Sequence, residues 1–329
     1  MTKHTTLLLL PMLALTAACE SRLTGNEGNF QFQYAADDRL LDFNKPLAVG
    51  ARLDMAVVDV GALQPVELSA ASSDDPSVLE VVAFTGNQLT IEGIGDGNAL
   101  LEVTGTTAGG EELSDNVNFN ARVPEVHKLF HTCGELGAGT QGYLTGQTVY
   151  VPFEFEMANG QPVIGYGYYP VTASSAAVAP TLDWMGQQYM SYDTVSADTV
   201  VLSSDIDGSE LTMEVVDASS IDGAAQPIAF VLEDIDVGDT NAFYVLPMVG
   251  DLTVCQANVD VELASDTPET CTVKKNDNPP LTASESQKYE FGWFEVTGVA
   301  EGTCTYTVTY PLGNGGDGAS ASFSYPIEP

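Results

Sequence analysis

From Phe30 onward, apolar and polar residues alternate in short runs. Phe30-Gln31-Phe32-Gln33-Tyr34, Val151-Pro152-Phe153-Glu154-Phe155-Glu156-Met157 and Thr305-Tyr306-Thr307-Val308-Thr309 each place apolar side chains on one face and polar ones on the other. A period of two is that of a β-strand, whose successive side chains point to opposite sides. One apolar face per strand predicts antiparallel sheets with a single buried side. Gly, Asn, Asp and Pro separate the runs. Ala158-Asn159-Gly160-Gln161 reads as a hairpin turn, because Asn-Gly accepts the positive φ of tight turns. Helical periodicity is nearly absent, so the expected fold is all-β.

The chain also repeats itself. Ser73-Asp74-Asp75-Pro76-Ser77-Val78-Leu79-Glu80-Val81 lines up without gaps on Ser265-Asp266-Thr267-Pro268-Glu269-Thr270-Cys271-Thr272-Val273. Downstream, the stretch from Ile91 through Gly93, Asp96-Gly97 and Ala99 to Thr104 lines up on that from Val296 through Gly298, Glu301-Gly302 and Cys304 to Thr309. Apolar parity survives in both copies, so equivalent positions face equivalent cores. A looser copy ends in Leu202–Val215, where Asp207-Gly208 supplies the acidic-Gly turn and the last strand is shifted by one residue.

A Ser-Asp-x-Pro turn, a strand, then Gly, an acidic-Gly pair and a Thr/Val-rich strand resembles the bacterial immunoglobulin-like domain of the group 2 type. Val49-Gly50 and Val237-Gly238 fit the opening such domains show. The resemblance implies tandem immunoglobulin-like β-sandwiches, about three, with Greek-key topology, covering nearly all of the chain after its leader. Expected boundaries are a tether over 19–28 and sandwiches over 29–123, 124–225 and 226–329, the middle one divergent. Pro124 and Ala224-Ala225-Gln226-Pro227 are the natural hinges. An insertion from Lys274 to about Gln287, carrying Asn278-Pro279-Pro280, reads as a surface loop.

The leader itself occupies residues 1–18. Lys3 and His4 precede an apolar run from Leu7 to Leu15, too short to span a bilayer as a stable helix. Leu15-Thr16-Ala17-Ala18-Cys19 resembles a bacterial lipobox, with Thr16 where Leu is usual. The resemblance implies cleavage after Ala18 and diacylation of Cys19, whose acyl chains would be the membrane attachment. The alternative is an ordinary signal peptide cut at the same bond. Glu20 in place of Asp after the cysteine argues, by resemblance to enteric sorting, for the outer membrane, and surface exposure is expected.

Charge narrows the partners. The formal net charge is −36, and no Lys or Arg lies between Lys128 and Lys274. Such a surface repels phosphate backbones, which excludes nucleic acid as a partner. It also suits solubility in a salty medium, where screening acts over roughly 8 Å.

Five cysteines occur, and removing Cys19 leaves Cys133, Cys255, Cys271 and Cys304, an even set fit for two disulfides in an oxidising compartment. Four cysteines allow three pairings. Through the repeat, Cys271 falls on Leu79 and Cys304 on Ala99, both inward-facing. A bridge across one sandwich core is therefore expected, as in many immunoglobulin folds, contributing about 3 kcal/mol. Cys133 and Cys255 would then clamp the middle sandwich to the last.

Candidate chemistry is sparse. His127, His131 and Cys133 are metal-ligand types in close sequence, but on a strand they share a face without converging. There is no Gly-x-Ser-x-Gly elbow, and acidic residues are too abundant to single out a catalytic pair, so an enzyme is not expected. Asp205, Asp207 and Glu210, and then Asp234, Asp236 and Asp239, supply hard oxygens near glycines. They are candidates for a structural Ca²⁺, although both stretches fall short of an EF-hand. Tyr166, Tyr168, Tyr169, Trp184, Tyr189 and Tyr192 are either core aromatics or a sugar-stacking platform. The expected function is a non-enzymatic, lipid-anchored envelope protein acting as a surface stalk or adhesion protein, with a protein or glycan ligand. The alternatives are a periplasmic accessory subunit of an envelope complex or a carbohydrate-binding module.

Overall fold

The structure, a computed structural model, describes residues 20–35, 45–131, 133, 141–181, 189–229, 234–276 and 292–329. They form an all-β fold of immunoglobulin-like sandwiches in two compact units that divide after Arg122.

The first unit contains β1 (Glu20–Thr24), β2 (Phe30–Ala35), β3 (Leu47–Ala48), β4 (Arg52–Asp59), β5 (Glu67–Ser73), β6 (Leu79–Thr85), β7 (Gln88–Gly93), β8 (Gly97–Thr106) and β9 (Glu112–Arg122). One sheet runs β1-β2-β4-β7-β6 and the other β3-β9-β8-β5. Setting β1 aside, this is the A-B-E-D and C-F-G order of an immunoglobulin fold, with β3 as an extra strand beside the last. Alternation supplies the core between the sheets: Phe30, Phe32, Leu53, Met55, Val57, Leu89, Ile91, Leu101, Val103, Val117 and Phe119 are all buried.

The second unit repeats that order twice. Its first sandwich comprises β10 (Val126–Leu129), β11 (Gln141–Leu144), β12 (Thr148–Glu156), β13 (Pro162–Val163), β14 (Val171–Ala173), β15 (Val178–Thr181), β16 (Tyr189–Thr194), β17 (Asp198–Ser204) and β18 (Glu210–Val216). Then come β19 (Gly223–Ala224), β20 (Ile228–Ala229), β21 (Ile235–Asp236), β22 (Thr240–Tyr244), β23 (Pro247–Val249), β24 (Leu252–Cys255), β25 (Glu262–Ser265), β26 (Cys271–Lys275), β27 (Trp293–Gly298), β28 (Gly302–Tyr310) and β29 (Ala319–Glu328). The sheets are β10-β12-β16-β15 against β14-β17-β18-β11, and β20-β22-β27-β26 against β21-β29-β28-β25.

A glycine explains part of the repeat. In each sandwich a short strand runs parallel to the last one: β3 beside β9, β11 beside β18, β21 beside β29. It then crosses to the facing sheet. Val49 bridges Gly93 and Val237 bridges Gly298, while Gly50 N–H donates to the Gly93 carbonyl at 2.7 Å and Gly238 N–H to the Gly298 carbonyl at 2.9 Å. A Cβ on Gly93 would lie 2.6 Å from the Ala48 carbonyl oxygen, and one on Gly298 2.6 Å from that of Asp236. The middle sandwich makes the same crossing at Thr145-Gly146, where Gly146 N–H donates to Thr194 at 2.7 Å. Its acidic-Gly turn is absent, and the looser sequence copy at Leu202–Val215 is instead the β17–β18 hairpin, one strand later than the repeat requires.

Three further expectations are revised. Residues 20–24 of the expected tether are strand β1, paired along its length with β2. Ala224-Ala225-Gln226-Pro227 is no free hinge, since Ala224 pairs with Pro247 and Ala225 N–H donates to Leu246 O at 2.9 Å. Lys274 and Lys275 belong to β26, and the rest of the expected insertion lies largely outside the described residues.

Replacing Gly298 by Ala should lower unfolding free energy by about 1–3 kcal/mol, because the new Cβ meets a backbone carbonyl that cannot step aside. Urea denaturation followed by Trp fluorescence checks this, and an unchanged midpoint would reject the crossing as the reason for glycine.

Candidate functional site

The second unit has one feature that an isolated sandwich lacks. Between β22 and β25, where an immunoglobulin chain passes directly from one sheet to the other, this chain inserts the hairpin β23–β24. The hairpin leaves its own sandwich and extends the sheet of the preceding one. A single seven-stranded sheet results, in the order β14-β17-β18-β11-β24-β23-β19. Strand β11 is therefore paired on both edges, parallel to β18 at Gln141–Leu144 and parallel to β24 at Gly142–Tyr143. Gly142 leaves room there for Leu252, whose Cδ2 would stand 2.9 Å from a Cβ at that position.

Side chains close the joint. Gln256, buried just after the hairpin, accepts the Tyr150 N–H at 2.9 Å through Oε1 and donates Nε2 to the Tyr150 carbonyl at 2.7 Å. Its amide thus stands in for one more strand residue against β12. Gln147 reciprocates: its Nε2 donates to Asn258 O at 3.0 Å and its Oε1 accepts Asn258 N–H at 3.2 Å. Leu144 is buried in the same apolar cluster as Phe243, Phe294, Tyr306 and Val308 of the last sandwich. A disulfide joins Cys133 to Cys255 at the end of β24, with Cα atoms 5.8 Å apart.

The other disulfide joins Cys271 on β26 to Cys304 on β28, so it ties together the two sheets of the last sandwich, Cα to Cα 5.4 Å. Equivalent positions elsewhere are filled by Leu79 with Ala99 and Val178 with Val200, all buried. The bridge replaces an apolar pair at a core site.

His127 and His131 are held by the fold, and they do not form a metal centre with Cys133, which is oxidised. His127 is buried on β10, its Nδ1 3.0 Å from Ser204 Oγ and its ring against Phe153 and Phe155 at centroid distances of 5.6 and 4.7 Å. Its N–H donates to Asp207 Oδ2 at 2.9 Å, and Ser209 Oγ donates to its carbonyl. Burial pushes the imidazole down to about 4, against the opposing pull of the Asp207 carboxylate. Burial likewise pushes His131 down to about 4, where Nδ1 lies 3.2 Å from Tyr143 Oη. Sequence reasoning missed this anchoring role, since the partners of His127 come from residues about 80 positions away.

Within the two acidic stretches, Asp207 serves the backbone. Burial of the Asp207 carboxyl acts upward, but the His127 and Ser209 N–H bonds outweigh it and hold the group down at about 2. Asp205 accepts from Thr172 Oγ1 at 3.1 Å and Glu210 from Ser203 Oγ at 3.4 Å. Asp234, Asp236 and Asp239 are exposed along β21 and its crossing, where Gly298 N–H donates to the Asp239 carbonyl. Among the described residues no three Asp, Glu, His or Cys side chains gather to hold an ion. Of the aromatics, Tyr192 is buried, Tyr166 and Tyr189 are half-buried, and Tyr168 and Tyr169 pack on Phe155 and Phe153 at 5.7 and 6.3 Å. Trp184 and Cys19 lie outside the described residues.

No protein-family model matches the chain, and no curated protein matches it. Solved structures with a similar fold include domains 4–9 of the surface layer protein SbsC (14% identity, TM-score 0.29), of whose length the chain spans 46% while 93% of the chain is covered. Another is the Bacteroides ovatus SGBP-B of a mixed-linkage glucan utilization locus, in complex with a heptasaccharide (12% identity, TM-score 0.27, 89% of this chain and 67% of that one). Domains A168–A170 of titin match at 13% identity and TM-score 0.20, over 91% of this chain and 93% of that one. No helix among the described residues is long and apolar enough to cross a membrane.

Because the folded state binds the His127 proton more weakly than the unfolded chain, stability is full above pH about 6.5 and falls as the pH drops toward 4. His127 alone should contribute about 3 kcal/mol to that fall. Urea midpoints from pH 7.5 to 4 check it. His127→Gln should make the profile shallower, the remaining fall belonging in part to His131, which burial pushes down over the same range, and a wild-type profile already flat there would contradict the assignment.

Proposed function

We propose that this chain is a non-enzymatic, lipid-anchored protein of the bacterial cell envelope, built from immunoglobulin-like domains of the group 2 type, whose body acts as a surface stalk or adhesion protein. The observation that carries the reading is the shared seven-stranded sheet. A hairpin that abandons its own sandwich to complete a neighbour's sheet, backed by two glutamine clips and a disulfide, removes the flexibility that a linker between sandwiches provides. Rigidity between consecutive domains is what a projecting structure needs.

The lipobox-like Leu15–Cys19 supports an acyl anchor at Cys19, with outer-membrane placement following from Glu20. Two disulfides, one across a sandwich core and one at the joint between sandwiches, support an oxidising compartment. The acidic body keeps neighbouring copies apart and soluble.

Protease shaving of intact cells tests the reading. Peptides from the second unit should be released without permeabilisation, and Cys19→Ser should move the protein to the soluble fraction. Protection until the outer membrane is opened would overturn the surface role and favour a periplasmic accessory subunit. A Cys19→Ser protein that stays with membranes would overturn the anchor.

A further inference from the structure

The first unit receives and releases its chain at one end. β2 starts at Phe30 opposite Asp59, the last residue of β4, so without β1 the chain would enter the sandwich at the Asp59 end. β1 reverses that entry. It runs back along β2 and places Glu20 opposite Ala35, toward the end where Arg52 pairs with Glu92 and Val49 bridges Gly93. Arg122, the last residue of the unit, pairs with Ala48 at that same end. The opposite tip, formed by residues 25–29, 59–66 and 107–113, is therefore free of both chain ends.

The tip is held in shape by its own hydrogen bonds. Asp115 is buried, and its carboxylate accepts the N–H groups of Glu27, Asn29 and Phe30, each at 2.8 Å. The Asn29 carbonyl accepts Val60 N–H at 3.0 Å, and Asn29 Nδ2 donates to Ser114 O at 2.8 Å. Leu63 N–H donates to Asp59 O and Asp59 N–H to Gln64 O, both at 3.0 Å. Between these segments lies a cleft of about 500 Å³, lined by Asn29, Asp59, Val60, Glu111 and Leu113 among others.

Leu63 is the odd residue of this tip. Its φ is 55°, a region that a bulky side chain rarely enters. Its side chain is also 49% exposed, and Val60 in the cleft is 36% exposed. The other two non-glycine residues with positive φ among the described residues, Gln256 and Asn314, make side-chain hydrogen bonds that a leucine cannot. Glycine at position 63 would relieve the backbone and remove exposed apolar surface at once, so neither folding nor solubility accounts for leucine there. A partner that covers it does. Charge says which kind: the three segments carry Glu27, Asp59, Glu111 and Glu112 and no Lys or Arg.

We propose that this tip is a docking site for another protein, which it engages through an apolar side chain flanked by Lys or Arg. The proposal rests on the adhesion reading for its biological setting and deepens it by naming the chemistry of the partner. Leu63 and Val60 supply the apolar contact, and Asp59, Glu111 and their neighbours attract the cations. A second copy of this chain would bring the same carboxylates to the same place and be repelled.

The test uses the full-length protein as bait and a random heptapeptide phage library as probe. Enriched peptides should carry Lys or Arg beside an apolar residue. Synthetic copies should bind at least about tenfold more weakly to Leu63→Gly. Glu111→Gln should weaken them about threefold, and added salt should weaken them further. Amide hydrogen exchange in β2 and β4 should be as slow in Leu63→Gly as in the wild type, or slower, which separates loss of docking from loss of fold. Faster exchange in that variant would overturn the claim that leucine is kept for binding. No enrichment, enrichment of acidic peptides, or equal binding to Leu63→Gly would each overturn the docking site. Glycan-array binding or self-association that Leu63→Gly abolishes would replace the protein partner with a sugar or a second copy. The peptide result does not depend on where the protein sits in the cell. Protection of intact cells from shaving would overturn the surface reading and leave the tip standing, whereas surface exposure without peptide binding would end this proposal alone.

Discussion

The four residues of β11 are the constraint on which the second unit depends. A strand this short gains little from its own pairing, and an isolated two-stranded ribbon is marginal in water. β11 is stable because both of its edges are satisfied, by β18 of its own sandwich and by β24 of the next. Buried backbone N–H and C=O groups must find partners, so the hairpin β23–β24 cannot leave without orphaning one edge of β11. Gly142, Gln256 and Gln147 follow from that arrangement. The glycine lets Leu252 approach, and each glutamine amide completes hydrogen bonds where a backbone strand would have continued.

The same logic of crossing strands runs through all three sandwiches. In each, a short parallel strand lies on the last strand and then steps across to the facing sheet. Where Gly93 and Gly298 receive that step, bare Cα atoms make room for a carbonyl. Thr194 receives it in the middle sandwich with its buried hydroxyl 2.6 Å from the Leu144 carbonyl and 2.8 Å from that of Gln147. A side-chain hydroxyl there shares its one proton with the carbonyls that a glycine merely avoids.

Much of the β architecture was legible in the sequence. Period-two runs marked strands and their buried faces, and the parity of Leu79 with Cys271 and Ala99 with Cys304 identified core positions that the structure fills with apolar pairs or a disulfide. What escaped was long-range. β1 looks like a polar tether because its tie is Asp115, 88 positions from Glu27. The middle copy was misaligned because its turn between β16 and β17 lacks the acidic-Gly pair, while Asp207-Gly208 in the following hairpin imitates it. The β23–β24 hairpin reads as an ordinary pair of strands, and nothing local says that they serve the neighbouring sheet. The acidic stretches advertise oxygen ligands, but Asp207 is already committed to the backbone of β10.

The central claim is that the two sandwiches of the second unit move as one body through a shared sheet. Pulsed electron-electron spin resonance tests it most directly, with labels carried by unnatural amino acids at exposed Thr199 on β17 and half-buried Thr305 on β28, which leaves the disulfides intact. The shared sheet predicts one narrow distance distribution that stays narrow after Cys133–Cys255 is replaced by a serine pair. A broad distribution, or one that broadens on loss of the bridge, would mean that the disulfide and not the sheet joins the sandwiches.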